Sequence, residues 1–242
     1  MNEALEKQLI EELAVFGIEL SADQARTLVS YLMLVIEKNK VVNLTRITNP
    51  AEAVTLHLVD SLIPLASSTF YIGEKDHVLD MGTGAGFPGV PVAVVTQAQA
   101  LLVDSVGKKT TAVQEFADKL ELQNVTTRHA RLEELAREIP CTQNAVFARA
   151  VAKTNVLLEY ATPFLAKGGL LVVEKGRPEE EELRAASQAA KICGMKLVSR
   201  ETFELPRDLG HREVLLYEKV RTSQIKLPRR NGLARQQPLG EQ

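Results

Sequence analysis

The chain has 242 residues, of which 45% are hydrophobic and 25% charged, with a formal net charge of −2. That length and balance fit one α/β domain with a smaller appendage. No basic region followed by an apolar run opens the sequence, and no stretch approaches the ~20 apolar residues of a membrane span, so a cytoplasmic protein without membrane contact is expected.

Residues 1–70 read as a helical extension packed on the core. Leu5, Leu9, Leu13 and Phe16 keep a helical spacing that Gly17 ends. Ser21 with Gln24 three residues on is a capping-box signal for a second helix through about Glu37. Asn49-Pro50 with Glu52 starts a third, through about Leu65. On that helix His57, Asp60 and Ser61 share one face and suit a hydrogen-bonded set, although docking of the extension is the plainer use.

From His77 strands alternate with helices. Strands are expected at 77–81, 100–104, 124–129, 145–149 and 169–174, with helices at 88–96, 108–121, 131–138, 154–166 and 178–193. Such alternation predicts a mostly parallel sheet with helices on both faces, spanning about 71–220. Two further strands, 196–204 and 212–219, are joined only by Leu205–His211. That is too short for a crossover helix, so the last strand is antiparallel. This is the methyltransferase variant of the doubly wound, Rossmann-like sheet.

The first strand runs into Asp80-Met-Gly82-Thr-Gly84-Ala-Gly86-Phe87-Pro88-Gly89. Glycines at 82, 84 and 86 let the backbone turn tightly and leave no Cβ in the way of a ligand. The spacing departs from the dinucleotide pattern, with Phe87 where its last glycine belongs. Asp80 repels a pyrophosphate and favours a cationic or amine-bearing ligand such as S-adenosyl-L-methionine. A glycine turn used only for packing is the bland alternative.

Ligands in such sheets lie beyond the carboxyl ends of the strands. Asp104 closes the second strand and suits two ribose hydroxyls, or a helix N-cap, or both. Leu132 and Glu133 follow the third strand, where adenine belongs. Arg149, among apolar neighbours, ends the fourth strand at the methyl-transfer lip and is the catalytic candidate, with an anionic partner expected. Glu174-Lys175-Gly176-Arg177 ends the fifth as another cationic lip. The segment 221–242 forms a basic tail: Lys226, Arg229, Arg230 and Arg235 suit RNA phosphates. Cys141 and Cys193 stand alone, so no disulfide or metal is expected.

Taken together, these residues resemble the RsmG (GidB) family of 16S rRNA guanine-N7 methyltransferases. The likeness runs through Asn39-Lys-Val-Val-Asn-Leu-Thr45, His57-Leu-Val-Asp-Ser-Leu62, the Gly-Phe-Pro-Gly loop and Asp104-Ser-Val-Gly-Lys-Lys109. It continues in Arg149-Ala-Val-Ala, Lys175-Gly176, Pro228-Arg-Arg-Asn-Gly232 and Pro238-Leu239. The resemblance implies cofactor contacts at Gly82, Phe87, Asp104, Ser105, Val106, Leu132, Glu133 and Arg149. It implies methylation of guanine 527 in the 530 loop of 16S rRNA, by direct in-line transfer without a general base. The implied partner is 16S rRNA or the small ribosomal subunit particle, with the chain a monomer. Other readings from the residues are a class I methyltransferase for another substrate, a non-catalytic S-adenosylmethionine-binding RNA-binding module and, last, a nicotinamide dehydrogenase.

Overall fold

The structure, a computed structural model, describes residues 2–241. Helices α1 (Asn2–Ala14) and α2 (Ala22–Lys38) open the chain, and the Ser21–Gln24 capping box forms as the sequence predicts. The third helix is not uniform. It comprises α3 (Pro50–Ala53), a π-helical stretch Val54–Val59, α4 (Asp60–Leu62) and a 3-10 turn Ile63–Ala66. The wider π turn breaks the i, i+3, i+4 geometry expected of His57, Asp60 and Ser61. Ser61 bonds only the backbone carbonyl of His57, and Asp60 turns to two arginines of the sheet.

The remaining elements alternate: β1 (His77–Met81), α5 (Gly89–Thr96), β2 (Gln99–Asp104), α6 (Gly107–Lys119), β3 (Val125–His129), α7 (Leu132–Glu138), β4 (Gln143–Arg149), α8 (Thr154–Ala161) and β5 (Leu165–Lys175). Then come α9 (Glu180–Cys193), β6 (Met195–Glu204), β7 (His211–Lys219) and α10 (Leu233–Gln236). The seven-stranded sheet has the order β3-β2-β1-β4-β5-β7-β6. Strands β1 to β5 pair in parallel, and β7 lies antiparallel between β5 and β6, as the short connection requires. Register aligns Asp80 with Phe147 and Arg149 with Glu174, so the functional ends of β1, β4 and β5 share one edge.

Alternate residues of the strands face opposite cores. Val78, Leu102, Phe147 and Val172 pack with Leu9, Leu28, Leu32 and Leu58 of the N-terminal helices and with Val113 and Phe116 of α6. Leu79, Val103, Val146 and Val173 pack with Leu157, Leu158, Ala186 and Ala190 of α8 and α9. The N-terminal helices therefore share one core with the sheet. Tyr31 of α2 is fully buried, donates to the Ala85 carbonyl at 2.8 Å and meets Phe87 and Phe116 edge-on. An apolar helix face thus becomes a support for the glycine loop.

The C-terminal segment is folded as well. Ala234 is buried, and Leu227 and Leu239 pack on the α8–α9 core. Asn155 of α8 donates to the Leu239 carbonyl at 2.9 Å, and a Cβ on Gly240 would stand 2.2 Å from the Ala185 carbonyl. Arg229 makes a two-pronged ion pair with buried Glu159 and also donates to the Gln237 carbonyl. No helix among the described residues is long and apolar enough to cross a membrane.

Arg229→Ala leaves the Glu159 carboxylate buried without its cation, a change that costs about 3–5 kcal/mol. Urea unfolding is expected to show that loss, while exposed Arg230→Ala stays within about 0.5 kcal/mol of the parent.

Candidate functional site

Two buried carboxylates organise the glycine loop. Asp80 Oδ2 accepts from the Thr83 hydroxyl at 2.6 Å and from the Gly89 amide at 2.9 Å. Asp104 Oδ2 accepts from the Gly84 amide at 3.0 Å, and its Oδ1 accepts from the Val106 amide at 2.9 Å. The amides of Gly82 and Thr83 donate to the Val103 carbonyl, and those of Gly86 and Phe87 to the Thr83 carbonyl. A phosphate-binding loop keeps such amides free for its ligand. Here they are spent within the fold, so the loop presents no cradle for a pyrophosphate.

The structure corrects the expected place of Asp80. It does not line the cleft but lies beneath the loop, 2% exposed. Burial, opposed by the Thr83 and Gly89 hydrogen bonds and by Arg149, raises its carboxyl to about 6. The three glycines also differ in what they face. A Cβ on Gly86 would stand 2.0 Å from the Tyr31 hydroxyl, and one on Gly82 would stand 2.8 Å from a Val151 methyl. A Cβ on Gly84 would meet nothing closer than 4.0 Å. Gly86 therefore serves packing against α2 rather than a ligand. Phe87 is likewise inside, edge-on to Tyr31 and stacked on His57 at 4.6 Å.

A cleft of about 500 Å³ opens above the loop, within the usual range for a small-molecule site. Of the residues expected from sequence, Gly82, Asp104, Ser105, Val106, Leu132 and Glu133 line it. Asp80, Gly84, Gly86, Phe87 and Arg149 do not. Glu133 Oε1 accepts the Gly232 amide at 2.7 Å, so this carboxylate anchors the C-terminal segment. Gly232 and Arg235 consequently form part of the cleft wall, as do Val151 and Tyr160. Sequence reasoning missed that wall, because the tail was read for its charge alone. Only its Pro-Arg-Arg-Asn-Gly turn, 228–232, hinted at a fixed conformation.

Arg149 belongs to a second cavity of about 460 Å³, shared with His57, Asp60, Glu174, Lys175 and Arg212. Its guanidinium donates to Asp60 Oδ2 at 3.0 Å, Arg212 donates to Asp60 Oδ1 at 2.7 Å, and Arg149 also lies over the Phe87 ring. The anionic partner expected for Arg149 is thus Asp60. The two cavities share Ala150, which holds a left-handed φ of 56°. A residue with a Cβ meets roughly 1–2 kcal/mol of resistance there, so the surrounding packing fixes this junction.

The basic tail is also redistributed. Arg229 is committed to Glu159, and Arg235 donates to the Val151 carbonyl at 3.1 Å beside the cleft. Lys226 and Arg230 remain exposed on the surface. No group of three or more potential metal ligands exists among the described residues.

Residues 24–210 match the family model described as rRNA small subunit methyltransferase G. The curated "Ribosomal RNA small subunit methyltransferase G" of Desulfitobacterium hafniense (strain Y51) is 37% identical over 226 residues, covering 92% of each chain. That of Carboxydothermus hydrogenoformans is 34% identical, covering 97% of this chain and all of the relative. Among solved structures, a SAM-dependent methyltransferase from Aquifex aeolicus superposes with a TM-score of 0.52 at 18% identity, covering 69% of this chain and 92% of its own. This last likeness bears on the fold alone.

Gly86→Ala is expected to destabilise the protein, because its Cβ collides with the Tyr31 hydroxyl at a φ of 88°. Gly84→Ala has room and carries only the left-handed penalty of roughly 1–2 kcal/mol. Thermal melts of the two variants give the order, with Gly86→Ala melting lower.

Proposed function

The chain belongs to the rRNA small subunit methyltransferase G family and is an S-adenosylmethionine-dependent methyltransferase; on that premise we propose that it methylates N7 of a guanine in the 530 loop of 16S rRNA. The observation that carries this reading is the meeting of two cavities at Ala150, one built for a small molecule and one lined by charged and imidazole groups.

The first cavity suits the cofactor by the chemistry of its donors and acceptors. The loop amides are spent, which disfavours a phosphate, while Asp104 lines the cleft with acceptor capacity left for hydroxyl groups. In this reading Asp104 takes the ribose hydroxyls and Leu132 flanks the adenine. Gly82, Ser105 and Val106 set the floor, and Glu133 fixes the Gly232 turn that closes one side. Bound S-adenosylmethionine supplies an electrophilic methyl group.

The remaining work of the chain is orientation. Guanine N7 carries an in-plane lone pair and no hydrogen, so no side chain has to remove a proton. Holding the acceptor in line at near-attack distance is then the main lever on rate. His57 fits this scheme as a fixed neutral group. Burial, reinforced by Arg149, lowers its imidazole to about 3. Arg149 and Arg212, tied to Asp60, hold the acceptor cavity open beside Ala150, so Arg149 acts as a positioning residue. Exposed Lys226, Arg230, Arg131 and Arg177 supply the cationic surface for RNA phosphates.

Single-turnover methyl transfer at saturating small-subunit rRNA should change less than about threefold between about pH 6 and 8.5, the range where an ordinary histidine base titrates. The modified guanine, located by nuclease mapping and mass spectrometry, should carry its methyl on N7. A rate climbing tenfold per pH unit would require a general base and contradict transfer to N7.

A further inference from the structure

The second cavity contains two buried polar groups that the fold does not satisfy. Both carboxylate oxygens of Glu174 lack a hydrogen-bond partner, and so does Nδ1 of His57. Glu174 is 4% exposed and His57 8%, and both line the same cavity next to Ala150. Leaving such groups unpaired costs about 1–3 kcal/mol each, more when charged, so each calls for an explanation.

Thr45 Oγ1 accepts from the Ile47 amide at 3.0 Å and stands 2.7 Å from His57 Nε2. In the tautomer where the Thr45 hydroxyl donates to Nε2, the proton of the neutral ring lies on Nδ1. The Phe87 ring, parallel to the imidazole within 2°, holds this orientation. With the proton on Nδ1 and Glu174 ionised, the cavity offers one donor at Nδ1 and a two-oxygen acceptor at Glu174.

We propose that this cavity reads the Watson–Crick edge of the target guanine, with Glu174 accepting from N1–H and the N2 amine and His57 Nδ1–H donating to O6. The inference rests on the guanine-N7 reading above and names its specificity residues. Guanine alone among the RNA bases combines that acceptor with two adjacent donors. Adenine reverses the first two positions, placing an amine against His57 Nδ1–H. Gripping this edge leaves N7, on the opposite side of O6 from N1, free to face the Ala150 junction. Burial raises the Glu174 carboxyl well above the usual range, opposed chiefly by Arg149 and assisted by Asp60 and Asp80, while Arg212 opposes it weakly. Two N–H donors from a base stabilise the ionised form again.

The test measures transfer to small-subunit rRNA carrying guanine or inosine at the target position. Inosine keeps O6, N1–H and N7 but lacks the N2 amine. The parent protein should prefer guanine by about tenfold or more in kcat/KM, the scale of a two-point base contact. Glu174→Gln replaces one of the two acceptor oxygens by an amide NH2 group that opposes the donors of the base. It should lose about ten- to a hundredfold on guanine, mainly through KM, and show a guanine-to-inosine preference below about threefold. Calorimetry with S-adenosylhomocysteine and the melting temperature confirm that the cofactor cleft and fold of the variant are intact. An undiminished guanine preference in Glu174→Gln, or a parent protein indifferent to the N2 amine, would overturn the inference while leaving the proposed function standing. Failure of the parent protein to methylate the guanine substrate would remove both.

Discussion

Two buried aspartates bind the backbone amides of the glycine loop, and the rest of the site depends on this constraint. Asp80 and Asp104 take the Gly89, Gly84 and Val106 amides, and backbone carbonyls take those of Gly82, Thr83, Gly86 and Phe87. A loop whose Gly82, Thr83, Gly84, Gly86, Phe87 and Gly89 amides are all taken within the fold has a fixed shape and few donors to spare. Its shape makes the cleft, and its scarcity of free donors disfavours a phosphate. The same sharp turn in a dinucleotide-binding protein leaves its amides free for pyrophosphate. Aspartate at the end of β1 thus shapes the loop through the Gly89 amide and the Thr83 hydroxyl.

The loop is held from three directions. From below, Asp80 is clamped by Thr83 and Gly89, at the expense of a carboxyl raised to about 6 by burial. From the N-terminal side, Tyr31 reaches the Ala85 carbonyl and fills the space beside Gly86. From the front, Phe87 turns inward onto His57, which ties the loop to the π-helical stretch Val54–Val59. The N-terminal helices are thus part of the site's scaffold. The C-terminal segment has the same standing on the other side, where Glu133 and Glu159 hold it against the cleft through Gly232 and Arg229.

Much of this was legible in the residues. The alternation of strands and helices gave the sheet, and the short Leu205–His211 connection required an antiparallel last strand. The strand ends named the edge on which Asp104, Leu132 and Glu133 line the cleft. What periodicity does not carry is the direction of a side chain at a turn. Gly82, Gly84 and Gly86 look equivalent in sequence, yet their absent Cβ atoms face Val151, open space and Tyr31 respectively. Charge was misleading for a related reason. Arg229 reads as a surface cation, but buried Glu159 claims it, while exposed Arg235 also donates to the Val151 carbonyl beside the cleft. The π turn also leaves no signature in apolar spacing, so the pairing of Asp60 with two arginines of the sheet appears only in three dimensions. Glu174 was passed over because Lys175 and Arg177 beside it suggested a cationic lip.

The central claim is that a self-satisfied loop selects a phosphate-free nucleoside ligand. Isothermal titration of the protein with S-adenosylhomocysteine and, separately, with NAD tests it most directly, since both carry adenosine and only NAD carries a pyrophosphate. The account predicts saturable binding of S-adenosylhomocysteine, weakened by Asp104→Ala, and no measurable heat from NAD at the same concentrations. Comparable affinity for NAD would contradict it.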